Sequence, residues 1–161
     1  MSAGRQDVDI VDDYASYYSA ALAATVPDSE IRLGVGTEVF GEHFRTPLAT
    51  VHKFNGWADK FAARSVGLAG GLNRGLRDHY LEAGYKIPVG KGLTVKLVYH
   101  WFEPEEGGGE GGTELDLLAA YEINKYLSVI GKYGEYDADN DATGSFAGDK
   151  RMFTLDLNFI Y

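Results

Sequence analysis

The sequence predicts an all-β fold: an antiparallel up-and-down meander of about seven or eight strands, forming an outer-membrane β-barrel or the C-terminal wall of one. Three observations predict it. Apolar and polar residues alternate with period two through most of the chain, the repeat of a strand with two unlike faces. Connections alternate between short and long, as in an outer-membrane barrel with tight periplasmic turns and long outer loops. Aromatic residues of the apolar face gather toward the strand ends, with Leu, Val and Ala between them, the pattern of two interfacial girdles around an aliphatic band.

The elements follow in order. Residues 14–26 are strand-compatible but alternate weakly. Residues 30–40 alternate cleanly, with Ile31, Leu33, Val35 and Val39 opposite Arg32, Gly34, Gly36 and Glu38. In 76–87, Leu81, Ala83, Tyr85 and Ile87 oppose Asp78, Tyr80, Glu82, Gly84 and Lys86. In 92–102, Leu93, Val95, Leu97, Tyr99 and Trp101 oppose Thr94, Lys96 and His100. Residues 113–123 set Leu115, Leu117, Ala119, Tyr121 and Ile123 against Glu114, Asp116 and Glu122. The same stretch also fits helical spacing, but the tight turn after it favours a strand. In 126–136, Leu127, Val129 and Tyr133 oppose Ser128 and Lys132, and the closing strand 151–161 ends on an aromatic. Short connections fall at Pro27-Asp28-Ser29, Pro88 to Lys91 and Asn124-Lys125; long ones at 41–75, 103–112 and 137–150. That gives seven strands outside the insertion 41–75. Single-chain bacterial barrels have even strand numbers and no open edge. An eighth strand is therefore expected from 1–12 or 46–61, or else the single domain 1–161 is the C-terminal fragment of a larger barrel, the reading taken here.

Bulk properties narrow the function classes. The chain of 161 residues has no cysteine, which excludes disulfide scaffolds, cysteine nucleophiles and thiolate metal sites. A formal charge of −9 argues against nucleic acid as partner. Mean hydropathy is −0.22 and no apolar run approaches the ~20 residues of a spanning helix; a barrel wall, half polar, scores the same way. The opening MSAGRQDVDI lacks the apolar core of a secretion signal, so an exported chain would here be mature or truncated.

If the short turns are periplasmic, Tyr85, Tyr121, Phe159 and Tyr161 form the periplasmic girdle, and Tyr99, Trp101, Tyr133 and Phe153 the outer one. The opposite face would line a pore with Arg32, Glu38, Asp78, Glu82, Lys86, Lys96, His100, Glu114, Asp116, Glu122, Lys132 and Asp156. Phe54, Trp57, Ala58 and Phe61 recur at helical spacing. They predict a short helix within 50–62, serving either as a plug in the pore or as a cap on the rim.

Several segments resemble the C-terminal part of the alginate-export family of bacterial outer-membrane barrels: TPLATVHKFNGWADKF (46–61), GLRDHYLEAGYK (75–86), GLTVKLVYHWFEPEEGG (92–108), ELDLLAAYEINKYLSVIGKYGEYDAD (114–139) and the last strand. Phe54-Asn55-Gly56-Trp57-Ala58-Asp59-Lys60-Phe61 is the most specific part. The resemblance implies a large monomeric barrel in the outer membrane of a Gram-negative bacterium, moving polysaccharide or other polar solutes passively, with membrane lipid around it. The terminal aromatic resembles the signature read by the barrel-assembly machinery. Family members are far longer, and the exporter has a strongly basic channel, whereas this polar face carries four bases against seven acids.

Other motifs carry little chemistry. Asp137, Asp139 and Asp141 match the first ligands of a calcium loop, but Ala142 and Gly148 replace its Gly and Glu. GGGEGG lacks the context of a phosphate loop and reads as a flexible outer loop. His43, His52, His79 and His100 have no metal-ligand spacing, and no serine sits in a nucleophile elbow. Asp78 and Glu82 could mimic a hydrolase pair, but a wet pore explains them more simply. No enzyme, cofactor or metal is expected. The rival reading is a soluble small-ligand-binding barrel with its apolar face inside.

Overall fold

The computed structural model describes residues 1–8, 13–42, 44, 55–61, 74–109 and 111–160. Eight strands form one antiparallel sheet in sequence order: β1 Ser2–Val8, β2 Asp13–Thr25, β3 Ile31–Phe40, β4 Leu76–Ile87, β5 Leu93–Glu103, β6 Gly112–Asn124, β7 Leu127–Ala138 and β8 Lys150–Phe159. The eighth strand is β1, from within residues 1–12. Each strand pairs with its sequence neighbours, and β1 and β8 are the two edges. The stretch 113–123 is strand throughout, with a register irregularity between Glu122 and Asn124 at its tight turn.

Period-two alternation sorts the side chains as expected, because pairing keeps residues of one parity on one face. Leu33, Ala83, Leu97, Leu117, Tyr133 and Phe153 fall in a single row across β3 to β8. Leu97 is 41 % exposed, Leu155 60 % and Phe159 68 %. The protein's core lies on the opposite, polar face, near the long connections. Phe40, Leu76, Phe102 and Tyr136 from the wall meet Ala58 and Phe61 from the insertion and Phe146 from the β7–β8 connection. Phe40, Phe102 and Tyr136 share parity with Glu38, His100 and Lys132, so the polar face turns aromatic at this end.

The helix expected within 50–62 does not form in its described part. Residues 55–61 are turns and bends, because Asn55, Gly56 and Asp59 all have positive φ, at 55°, 84° and 52°, outside the helical region. The described helical turn lies elsewhere, a 3₁₀ turn at Gly144–Phe146. Phe54, Tyr161, His43 and His52 lie outside the described residues.

Candidate functional site

The site is the polar face beneath residues 55–61. Register brings its side chains together: Glu38 pairs with Asp78, His100 lies between Tyr80 and Glu114, and Asp116 lies across from Val98 and Gly134. Asp78, Glu114 and Asp116 are essentially without solvent contact. Carboxyl groups so placed need hydrogen-bond partners, and the insertion supplies several of them. The Trp57 backbone N–H donates to both Asp116 oxygens, at 3.2 and 3.0 Å. The Ala58 N–H donates to Glu114 Oε1 at 2.7 Å. Asn55 Nδ2 donates to Asp78 Oδ2 at 3.1 Å and to Glu38 Oε2 at 3.3 Å, while the Tyr17 hydroxyl donates to Glu38 Oε1 at 3.0 Å.

His100 is the cation of the group. Its Nδ1 lies 2.8 Å from Asp78 Oδ1 and its Nε2 3.5 Å from Asp116 Oδ2. A carboxylate at each ring nitrogen suits the imidazolium, in which both nitrogens carry a proton. Its ring stacks on Phe102 at 5.3 Å with an interplanar angle of 6°.

Backbone fits tightly here. A Cβ on Gly134 would overlap the backbone of Trp57 and Ala58, and one on Gly56 would overlap the Glu114 carboxylate. The far end of the segment is tied by Phe61, whose ring meets Phe102, Phe146 and Tyr136 at 4.9, 5.2 and 5.8 Å. Lys60 Nζ donates to Ala147 O at 2.6 Å and to Gly148 O, and Lys150 Nζ donates to Asp59 O at 2.6 Å. Burial, and then the neighbouring Lys150, hold the Lys60 ammonium below its ordinary pKa, with Asp149 opposing. The arrangement clasps a peptide segment through Asp78, Asp116 and Glu114 Oε1, while Glu114 Oε2 is buried without a hydrogen-bond partner.

Toward the short turns the same face opens into a recess of about 760 Å³, lined by Arg32, Tyr80, Glu82, Lys86 and Lys96 among others. Glu82 accepts from Lys96 at 2.6 Å and faces Arg32 at 3.6 Å. Glu122 and Asp156 are exposed on this face. Lys96 thus pairs with an acid of the neighbouring strand, whereas Lys132 has no such ion pair among the described residues. Glu114 and Asp116 bind the insertion instead, and Lys132 Nζ lies 5.9 Å from the centroid of Trp57. Among the described residues no group of three or more His, Asp or Glu is arranged to hold a metal.

The apolar face carries its own geometry. The row through Tyr85 runs by Val95, Ala119 and Gly131 to Leu155. Tyr121 lies two residues beyond Ala119, toward the short turns, and Phe159 four beyond Leu155. The row through Tyr99 runs by Leu115 to Glu135; Tyr133 lies two residues from Glu135, again toward the short turns, and pairs with Phe153. The first charged pairs on this face shift likewise, from Arg77 opposite Glu103 to Glu135 opposite Arg151. Glu135 is bonded by Arg151 Nε at 2.6 Å and by the Tyr133 hydroxyl at 2.9 Å. The band through Tyr85, Tyr121 and Phe159 thus descends two residues for every two strands, or roughly 6.7 Å per 9.6 Å, an angle of about 35° to the rows; the outer band, from Trp101 and Tyr99 to Tyr133 and Phe153, descends in the same sense. A groove of about 1400 Å³ also lies on this face, between the β2–β3 turn and residues such as Tyr85, Leu97, Leu117, Tyr133 and Phe153.

The sequence found Asp78, His100, Glu114 and Asp116 but not their association with the insertion. It missed Asn55 as a ligand of the wall, and Tyr136, Phe102 and Phe146 as the seat of Phe61. Parity would have put Tyr136 and Phe102 on the polar face. No described helix is long and apolar enough to cross a membrane, which says nothing of strands. No family model matches this chain, and no curated protein or solved structure matches it significantly.

Proposed function

We propose that this chain is a wall of an outer-membrane, porin-like barrel that passes polar solutes, polysaccharide among them, by passive diffusion, in the manner its resemblance to the alginate-export family implies. The observation that carries this reading is the oblique course of the aromatic bands. Strands of a membrane barrel tilt by about 35–45° from the membrane normal, so a membrane plane crosses the hydrogen-bonded rows at that angle. The band through Tyr85, Tyr121 and Phe159 descends at about 35°, and the outer aromatics and the first charges on the apolar face descend in the same sense, leaving an uncharged stripe of Leu, Val and Ala between. A soluble core has no reason to align its aromatics along such a plane. Polar groups of the opposite face would keep a hydrated path and bias which solutes pass. The mechanism requires no cofactor and no chemistry.

The test is refolding into phospholipid vesicles followed by planar-bilayer recording. Insertion and ion conductance are expected. A monodisperse protein in detergent-free buffer that neither inserts nor conducts overturns the reading.

The apolar groove favours a second reading, a soluble barrel that binds a small apolar ligand between Tyr85, Leu97, Leu117 and Phe153. Stoichiometric uptake of a fluorescent fatty acid by the protein in plain buffer would select it.

A further inference from the structure

We propose that the recess of about 760 Å³ on the polar face binds small zwitterionic α-amino acids, Arg32 taking the carboxylate and Glu82 the ammonium; the site deepens the channel reading above and rests on it for the solute's route. Register builds the site. Arg32, Gly84 and Lys96 share one row across β3, β4 and β5, and Glu82 lies two residues before Gly84, opposite Gly34. The floor is made of small residues, with Ala21 opposite Gly36 and Ala23 opposite Gly34. A Cβ on Gly84 would meet only Val95 O at 3.8 Å and Arg32 Cβ at 3.9 Å, so the floor is open there. Tyr80, its ring laid over Gly36, bounds the recess toward the long connections, and Lys86 bounds it toward the short turns.

The charges are spaced for a solute that carries both signs. Lys96 Nζ holds Glu82 Oε2 at 2.6 Å and so fixes the carboxylate. Arg32 Nε stands 3.6 Å from Oε1, beyond a hydrogen bond, and the Arg32 side chain is 64 % exposed. Among the described residues no hydrogen bond engages either group, so an acceptor and a guanidinium fork face the recess side by side. An exposed pair of this kind contributes little to the fold, and a solute entering between its members costs the wall little. An α-amino acid answers both at once. Its carboxylate accepts two parallel N–H bonds from the fork, and its ammonium donates to Oε1. Lys86, also exposed, adds a second cation for the carboxylate. An anion alone meets Glu82 with repulsion, and a cation alone meets Arg32, Lys86 and Lys96, so the pairing selects against both. The open floor at Gly84 leaves room for a small side chain.

Saturation-transfer NMR of the chain in mild detergent reads binding without requiring an open pore, with free L-alanine at neutral pH as the probe. Alanine should give a saturable signal. N-acetylalanine, which keeps only the carboxylate, and alanine methyl ester, which keeps only the ammonium, should bind more weakly by roughly tenfold or more. Arg32→Gln and Glu82→Gln should each weaken alanine by a similar factor. Gly84→Leu keeps every charge but fills the floor, and should also remove the signal. Asp156→Asn, on the same face but on β8, should leave it unchanged, and circular dichroism should show the same β signal in all four variants. Equal binding of either analogue reduces the recess to a site for one charge and overturns the proposal. So does alanine binding that ignores Arg32→Gln, Glu82→Gln and Gly84→Leu, or no binding at all. Conductance in planar bilayers without alanine binding overturns the site alone; alanine binding without conductance overturns the channel reading alone.

Discussion

At the scale of single residues, Leu97 and Gly56 test opposite faces of the wall. Leu97 sits within the uncharged stripe, in the row that includes Leu117 and Phe153. If that stripe faces lipid, as proposed, a guanidinium there is desolvated, and Leu97→Arg should cost ~2–4 kcal/mol of folding free energy in a bilayer. Reversible denaturant titration in vesicles measures this, and unchanged stability would count against lipid contact. Gly56 combines a φ of 84° with a position where a Cβ overlaps Glu114. Gly56→Ala is therefore strained by both backbone and contact, at about 1–3 kcal/mol. The sheet does not depend on that residue, so circular dichroism should keep its β signal while limited proteolysis begins to cut near residue 56. Equal protease resistance in the two proteins would refute the tight fit.

At the scale of elements, β6 and β8 differ in what they demand of their surroundings. Strand β6 has partners on both sides and carries Glu114 and Asp116 inward against the insertion. Strand β8 has β7 on one side only among the described residues, and Phe153, Leu155, Leu157 and Phe159 stand exposed along it. In lipid each unpaired backbone group costs several kcal/mol. The outer-edge amides of β8 must then be covered, by closure or by a further strand. Hydrogen exchange of β8 amides in the membrane-inserted protein should be as slow as that of β6. Fast exchange along alternate β8 residues would mean an edge left open, which a membrane wall does not tolerate.

For the whole molecule, if the proposed pore exists, the balance of charge on the polar face predicts a modest preference for cations. The sequence assigns four bases and seven acids to that face, and the register adds Lys150, opposite Tyr136 and bonded to Asp59 O. The structure divides the acids by accessibility: Asp78, Glu114 and Asp116 are buried beneath the insertion, Glu38 accepts from Asn55 and Tyr17, Glu82 is paired with Lys96, and Glu122 and Asp156 remain exposed. Field in the lumen should come mostly from the exposed groups. If this wall dominates the pore, reversal potentials in a salt gradient should show weak cation selectivity. Glu122→Gln with Asp156→Asn should reduce it more than Glu114→Gln does. Strong anion selectivity, or a larger effect from Glu114, would contradict this division.

What the sequence determined by itself was the sheet: its strands, its two faces and the side each charged residue takes. Period-two alternation is enforced by backbone geometry, so Leu97 and Lys96 have no choice but opposite faces once the strand exists. Tertiary structure decided what covers the polar face. Helical spacing of Trp57, Ala58 and Phe61 was a misleading signal, because local periodicity cannot register the positive φ of Asn55, Gly56 and Asp59. Nor can it say that the buried carboxylates of β6 take their partners from a segment 56 residues away in the chain, as Ala58 and Glu114 do. The same holds for Phe146, which reaches the seat of Phe61 across the β7–β8 connection. Such contacts are fixed by long-range burial, in which each charge takes the nearest donor the folded chain offers, and no neighbour in sequence records them.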